Sequence, residues 1–304
     1  MHTERLPKQH SRSALPGRMT SADLVLRGDG RLIVFGGPYS NLEATRALLD
    51  HAAELGVPAD RIVCTGDVVA YGADPAATVE LMRQAGCHVV RGNCEENLAA
   101  GAADCGCGFS AGSACERLSI GWFAHAARAL DPESLAWMAS LPRRINIEFG
   151  GRRLAVVHGS VRSINRFIFA STAARVKNGE LDAAASDGVL AGHCGLPFTQ
   201  VLGKRLWHNA GAIGLPANDG TPRGWYSVLT ADAGSISIAH CALEYDHRTA
   251  AAKMCRARLP EEYAVALEAG LWPSCDVLPR KEIRERGVAI EESHVFWPIP
   301  EGRR

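Results

Sequence analysis

Short apolar runs, each closed by a glycine, alternate along this chain with stretches whose apolar residues repeat at helical spacing. Arg31-Leu-Ile-Val-Phe35 reads as a strand buried on both faces, followed by a Gly-Gly-Pro turn and a helix from Asn41 through Asp50. A second strand, Arg61 to Thr65, ends at Gly66-Asp67. A helix over Pro75 to Ala85 leads to a third strand, Cys87 to Arg91, which ends at Gly92-Asn93. After a Cys/Gly-rich loop from Asp104 to Cys115, helical spacing returns over Ser119 to Leu130 and Pro132 to Ser140. Leu154 to Val157 and Gly188 to Ala191 read as further strands, ending at His158-Gly159 and Gly192-His193. Arg205 to Asn209 and the alternating Ser235 to His240 follow. Strands alternating with helices predict an α/β fold, with parallel crossovers linking successive strands.

Residues 1–30 are polar and basic, and are expected to form a flexible tail ahead of a domain over 31–247. From 248 to 304 the chain is helical, then Pro-rich and charged, and reads as an extension that packs on the domain. Trp272-Pro273 and Trp297-Pro298 supply its apolar anchors. No internal repeat is visible.

Composition narrows the function classes. In 304 residues, 33 Lys and Arg balance 33 Asp and Glu, so no global field recruits nucleic acid or an anionic membrane. No apolar run reaches the length of a bilayer span, and the N-terminus lacks the apolar core of a secretory signal. The expected compartment is the cytoplasm. There the 10 cysteines are read as free, buried or metal-binding thiols rather than as a disulfide framework.

The chemistry concentrates at strand exits. Gly66-Asp67, Gly92-Asn93, His158-Gly159 and Gly192-His193 each put a metal-competent side chain beside a glycine where a strand ends. In an open α/β sheet ligands gather outside the carboxyl ends of the strands, and glycine lets the backbone approach a bound group closely. One carboxylate, one amide oxygen and two imidazoles form a mixed donor set for a borderline divalent metal such as Mn, Fe, Zn or Ni. His88, His125, His208 and His240 lie away from these exits and are not read as ligands.

These runs carry a resemblance. Gly66-Asp67-Val-Val-Ala-Tyr-Gly-Ala-Asp-Pro75 resembles the second motif of calcineurin-like metallophosphoesterases, and Arg91-Gly-Asn-Cys-Glu95 the third. Val157-His-Gly159 is similar to the fourth and Gly192-His-Cys-Gly-Leu-Pro-Phe198 to the fifth, while Asn209-Ala-Gly-Ala-Ile-Gly resembles a later turn. The resemblance runs from about Arg31 to Asp246. It implies a layered sandwich of mixed β-sheets flanked by helices, and hydrolysis of a small-molecule phosphomonoester or phosphodiester by a metal-activated water. Two metals about 3.5–4 Å apart would normally share the site. The resemblance makes Asp67 the bridging carboxylate and Asn93, His158 and His193 the other ligands of one metal. Asn93, Cys94 and His158 join Asp67 as candidate catalytic residues. Arg91, beside the motif, is a candidate for offsetting phosphate charge, and Ser163 to Arg166 for shaping the substrate rim.

The other metal position departs from the pattern. The first motif of the family, Asp-x-His-Gly-Asn-Leu, is replaced by Gly37-Pro38-Tyr39-Ser40-Asn41-Leu42, and the Gly-His-x-His of the fifth by Gly192-His193-Cys194-Gly195. All three missing ligands belong to one metal, so that site is expected to be lost or rebuilt. Cysteines offer a means of rebuilding it. Cys94 and Cys194 lie inside metal motifs, and Cys105, Cys107 and Cys115 lie in the loop downstream; together they could form a thiolate site or a structural zinc site, or carry no metal. A phosphoesterase with one standard metal is the leading reading. The alternatives are a non-catalytic sensor of a metal or phosphate ligand on the same scaffold, and a cysteine-metal redox sensor. The sequence leaves oligomeric state open.

Overall fold

The computed structural model describes residues 21–25, 30–232 and 234–299. The strands are β1 (Ser21–Val25), β2 (Gly30–Phe35), β3 (Ile62–Cys64), β4 (His88–Val89), β5 (Arg144–Phe149), β6 (Arg152–Val157), β7 (Gly188–Ala191), β8 (Pro197–Leu202), β9 (Arg205–Ala210), β10 (Gly224–Ala231), β11 (Ser235–Leu243) and β12 (Ser293–Pro298). The helices are α1 (Leu42–Glu54), α2 (Pro75–Ala85), α3 (Asn93–Ala99), α4 (Ala114–Ala129), α5 (Pro132–Ser140), α6 (Ala174–Ala184), α7 (His247–Arg256), α8 (Glu261–Ala269) and α9 (Arg280–Arg284).

Two mixed six-stranded sheets stack face to face. One runs β1-β5-β6-β7-β9-β8 and the other β12-β11-β10-β2-β3-β4. Within the second sheet β2, β3 and β4 are parallel, whereas β10, β11 and β12 are joined by antiparallel pairings. Side-chain alternation explains the uninterrupted apolar runs. Leu32 and Val34 of β2 point into the core between the sheets, while Ile33 and Phe35 point into a second core under α1, α2, α4, α7 and α8. Leu154 and Val156 of β6 likewise face the inter-sheet core, and Ala155 and Val157 face α6. A strand between a sheet and a helical layer is buried on both faces, so alternation with polar residues disappears. The result is a layered α/β sandwich with helices outside both sheets.

Local signals set the helix ends. The Asn41 side chain accepts from the Ala44 N–H and caps α1, while Pro75 opens α2 and Gly86 closes it in the left-handed conformation. The C-terminal segment is part of the sandwich. β12 pairs with β11 from Ser235↔Pro298 to His240↔Ser293, and its Trp297 is sealed into the inter-sheet core. The tail expected over 1–30 falls largely outside the described residues, but within it β1 pairs in parallel with β5. Sequence periodicity had also left β5, β8, β10 and β12 unassigned. No helix among the described residues is long and apolar enough to cross a membrane.

Candidate metal centre

The stacked sheets bring their strand exits to one edge. The turn after β3 delivers Asp67, the start of α3 after β4 delivers Asn93, the end of β6 delivers His158 and the turn after β7 delivers His193. His158 Nε2 lies 3.0 Å from Asn93 Oδ1, 3.0 Å from His193 Nδ1 and 3.2 Å from Asp67 Oδ2. The ligand atoms of Asp67, His158 and His193 all lie within 4.8 Å of one another. Asp67, Asn93 and His158 are almost fully buried.

Supporting bonds fix how each donor points. His158 Nδ1 is 2.8 Å from the Thr65 carbonyl, so it carries the proton and leaves the Nε2 lone pair facing the cluster. Asn93 Nδ2 donates to the Cys105 carbonyl at 2.9 Å and to Cys107 Sγ at 3.3 Å, which turns the amide oxygen toward His158. The loop from Asp104 to Cys115 therefore acts on the centre through Asn93. Asn209 Nδ2 donates to the Gly192 carbonyl at 2.7 Å and holds the turn that bears His193. Asp67 and His193 have φ of 56° and 62°, a region that non-glycine residues occupy mainly where surrounding structure holds them. A β-carbon on Gly92 would lie 2.1 Å from Asp67 Oδ1, so only glycine permits this approach.

Glu95 organises the site without belonging to it. Its fully buried carboxylate accepts from the backbone N–H groups of Asp67 at 2.9 Å, Gly92 at 2.8 Å and Val69 at 3.2 Å, tying the two ligand-bearing turns together. Its signal in the sequence is a glutamate three residues after the helix cap at Gly92, where it reaches back to the cap N–H.

Electrostatics fit a cation. Burial alone would raise the Asp67 carboxyl, but His158 and His193 outweigh it and hold Asp67 below the usual carboxylate range. Burial disfavours His158 as a cation, yet adjacent Asp67 reverses this and raises its pKa. His193 is pushed down to about 3, first by burial and then by His158, and is a neutral imidazole near pH 7. Several lone pairs converge on one point, and a proton there satisfies at most two of them; a divalent cation satisfies all. Carboxylate, amide and imidazole donors suit such a metal.

Aromatic side chains crowd Gly37 and Gly195. A β-carbon built on Gly37 would lie 2.3 Å from Cζ of the Tyr39 ring, so this ring stands where a residue-37 side chain would go. A β-carbon on Gly195 would lie 3.3 Å from the Trp272 ring and 4.0 Å from the Tyr39 hydroxyl. Tyr71 packs edge-on against Tyr39, with ring centroids 4.9 Å apart. Burial and the nearby Asp67 charge raise the Tyr39 pKa well above the usual tyrosine value, so it stays a phenol.

Among the described residues, Asp67, His158 and His193 form the group of three or more such side chains with converging ligand atoms, and no cysteine belongs to it. Cys105 and Cys107 are paired with each other in a disulfide. Their places in the chain explain this: one residue of separation lets the two sulfurs meet across Gly106. Cys94 is buried at the start of α3, its N–H donating to Asp67 Oδ1. Cys107, Cys115 and Cys194 line the cavity beside Asp67 and His193. Arg91 is directed elsewhere: it donates to the carbonyls of Leu141 and Ala139 and lies 4.0 Å from Glu96.

A cavity opens beside Asp67 and His193. Tyr39, Tyr71, Phe109, Phe167, Tyr263 and Trp272 contribute aromatic surface to it. Phe167 packs over His193 with centroids 4.2 Å apart. Trp272 comes from the C-terminal segment and is anchored by its Nε1–H to the Pro216 carbonyl at 2.6 Å. Expected only to anchor that segment, it also lines the cavity.

Paired mixed sheets with oxygen and nitrogen donors at their shared edge define the scaffold of a metallophosphoesterase. Residues 33–234 match the model of the calcineurin-like phosphoesterase superfamily domain, and the chain belongs to that family. An uncharacterised protein of Methanocaldococcus jannaschii is 28% identical over 248 residues, covering 76% of this chain and 94% of the relative. A metallophosphoesterase structure from Sphaerobacter thermophilus superposes with a TM-score of 0.60 at 26% identity, covering 79% of this chain and 99% of that one. A hypothetical protein from Pyrococcus horikoshii OT3 shares the fold, with a TM-score of 0.66 at 16% identity over 82% of this chain and 100% of its own.

Proposed function

We propose that the protein hydrolyses a small phosphoric ester using one divalent metal ion held by Asp67, Asn93, His158 and His193, with the family's second metal position given over to Tyr39. The observation that carries this reading is the pairing of two facts at one edge of the sheets. Donors converge around His158 Nε2, while the Tyr39 ring occupies the side-chain space of Gly37.

When bound, such a metal polarises a phosphoryl oxygen and lowers the pKa of a water. The chain's own residues do the rest. Asp67, held ionised, supplies the one negative charge of the donor set, and His158 is kept in a single tautomer by the Thr65 carbonyl. Glu95 keeps the Asp67 and Gly92 turns at fixed separation. Tyr39 offers a neutral hydroxyl at the cavity rather than an anionic ligand. Phe167 and Trp272 exclude water from the cavity wall beside His193, which strengthens electrostatic interactions there.

The test is turnover of aryl phosphoesters by the full chain supplied with Mn²⁺. Wild type is expected to hydrolyse them, and His193→Ala to lose on the order of 100-fold or more, beyond the 10–100-fold typical when only an outer partner of a metal ligand is removed. Undiminished turnover in His193→Ala would refute the assignment, as would no turnover by wild type with its metal fully bound.

A further inference from the structure

A second cavity, of about 250 Å³, lies between the start of β5 and the loop that follows β6. It shares no lining residue with the cavity beside Asp67 and His193. Arg143 and Arg144 enter it from the start of β5, and Arg162 from the loop between β6 and α6. Its lining residues include no aspartate, glutamate or lysine. His158 contributes to the wall, but its ring nitrogens are committed to the Thr65 carbonyl and to the metal donors.

The carboxylates that face these guanidinium groups from neighbouring elements are oversubscribed. Glu96 of α3 is shared by Arg143 and Arg91, and buried Glu180 of α6 by Arg162 at 3.3 Å and Arg166 at 3.2 Å. Glu95 also acts on Arg91, but its carboxylate is taken up by three backbone N–H groups around the Asp67 turn. Arg144 donates to uncharged acceptors, the Asn146 amide oxygen at 2.5 Å and the Ala184 carbonyl at 2.6 Å. Asp23 of β1 is the carboxylate that acts on it from a distance, and burial outweighs that charge. Arginine stays protonated throughout the physiological range, so positive charge is in surplus at the wall.

We propose that this cavity is a binding site, separate from the metal centre, for a dianionic phosphate group. A guanidinium donates from a planar fork to paired oxyanion oxygens. Three such forks from two segments offer more donors than the two oxygens of a carboxylate accept, and suit a tetrahedral group with more oxygens. Glu96 and Glu180 hold the forks of Arg143 and Arg162 in place beforehand, which lowers the ordering cost of binding. A volume of about 250 Å³ is just below the roughly 300–1,000 Å³ of sites for drug-sized ligands, so a phosphate carrying a short organic body fits. Val157, Val161 and Ile164 supply aliphatic surface for that body. The site does not depend on hydrolysis at the metal centre.

Calorimetric titration of the Mn²⁺-loaded full chain with inorganic phosphate, propylphosphonate and acetate tests this. Propylphosphonate mimics a phosphate monoester and has no ester bond to hydrolyse. A dianion could also meet the metal, so the titrations are repeated on Arg162→Ala, Arg144→Gln and Asp67→Ala. Arg162→Ala leaves Glu180 paired with Arg166, and serves if Arg144→Gln disturbs folding. Dianion binding is expected in wild type and in Asp67→Ala, about tenfold weaker in each arginine variant, with acetate at least about tenfold weaker throughout. Tighter binding of the phosphonate identifies the ligand as a small phosphorylated molecule, and tighter binding of inorganic phosphate as the free ion; either supports the site. A dianion lost in Asp67→Ala but bound unchanged by both arginine variants belongs to the metal centre and overturns the proposal. Binding of neither dianion, or of acetate equally well, overturns it too.

Discussion

Gly37 and Tyr39 form a pair in which each residue requires the other. Tyr39 itself sits at φ 53° and Gly37 at φ 46°, and the ring of one covers the α-carbon of the other. A methyl on Gly37 meets both a left-handed backbone, costing an L-residue about 1–2 kcal/mol, and a buried ring packed against Tyr71. Gly37→Ala is therefore expected to destabilise the protein by about 2–4 kcal/mol in denaturant unfolding. In a Tyr39→Ala background the same change should cost about 1–2 kcal/mol less, because only the backbone component remains. Equal costs in the two backgrounds would show that the ring does not occupy this space. An aspartate at 37 would meet the same obstacle, since its β-carbon collides with the Tyr39 ring. The converging donors were legible in the sequence because each stands beside a glycine at a strand exit. Glu95 was legible as the reach-back partner of the Gly92 cap and Trp272 as an apolar anchor, but their contacts with the Asp67 turn and with Gly195 and Pro216 join distant segments.

Between the two sheets the elements are joined by a buried polar bridge as well as by the apolar core. Thr199 Oγ1 of β8 lies 2.8 Å from His208 Nδ1 of β9 and 2.7 Å from His240 Nε2 of β11, and His240 Nδ1 lies 3.1 Å from Ser227 Oγ of β10. Burial lowers the pKa of His208 well below its ordinary value and that of His240 to about 4, so both are neutral in the folded protein. Unfolding in acid then takes up protons. This contribution to stability is fully present above the unfolded value near 6.5 and is lost as pH falls toward the folded values. For His240 alone it amounts to up to about 3 kcal/mol between pH 7 and pH 4, at about 1.4 kcal/mol per pKa unit. Unfolding free energy measured across this range should fall less steeply in His240→Gln than in wild type; parallel slopes would place the acid sensitivity elsewhere. Sequence periodicity located both histidines on strands but not the bridge, because the pairing crosses from one sheet to the other. Strands β5, β8, β10 and β12 escaped it for related reasons. Arg144-Ile-Asn-Ile-Glu-Phe149 is a short alternation adjoining a turn, and Gly224 to Ala231 gains its strand character from pairing with β2 on one side and β11 on the other.

Across the whole molecule, the sandwich places three strand exits of each sheet at a common edge, and the C-terminal segment closes the cavity that opens there. The fold is that of the calcineurin-like phosphoesterases, and Asp67, His158 and His193 converge at the shared edge. One side of the site is an apolar wall to which Tyr39, Gly195 and Trp272 contribute. Of the cysteines near the centre, Cys105 and Cys107 pair with each other, Cys94 lies at the start of α3, and Cys107, Cys115 and Cys194 line the cavity. One of their loops nonetheless reaches the centre, by fixing the amide of Asn93. The proposed site holds one metal per chain. Metal analysis of the purified full chain, after loading with Mn²⁺ and removal of excess, checks this number. One tightly held ion per chain is expected in wild type and in Cys105→Ser, and none in Asp67→Ala. Two ions per chain in wild type, or one retained in Asp67→Ala, would contradict it.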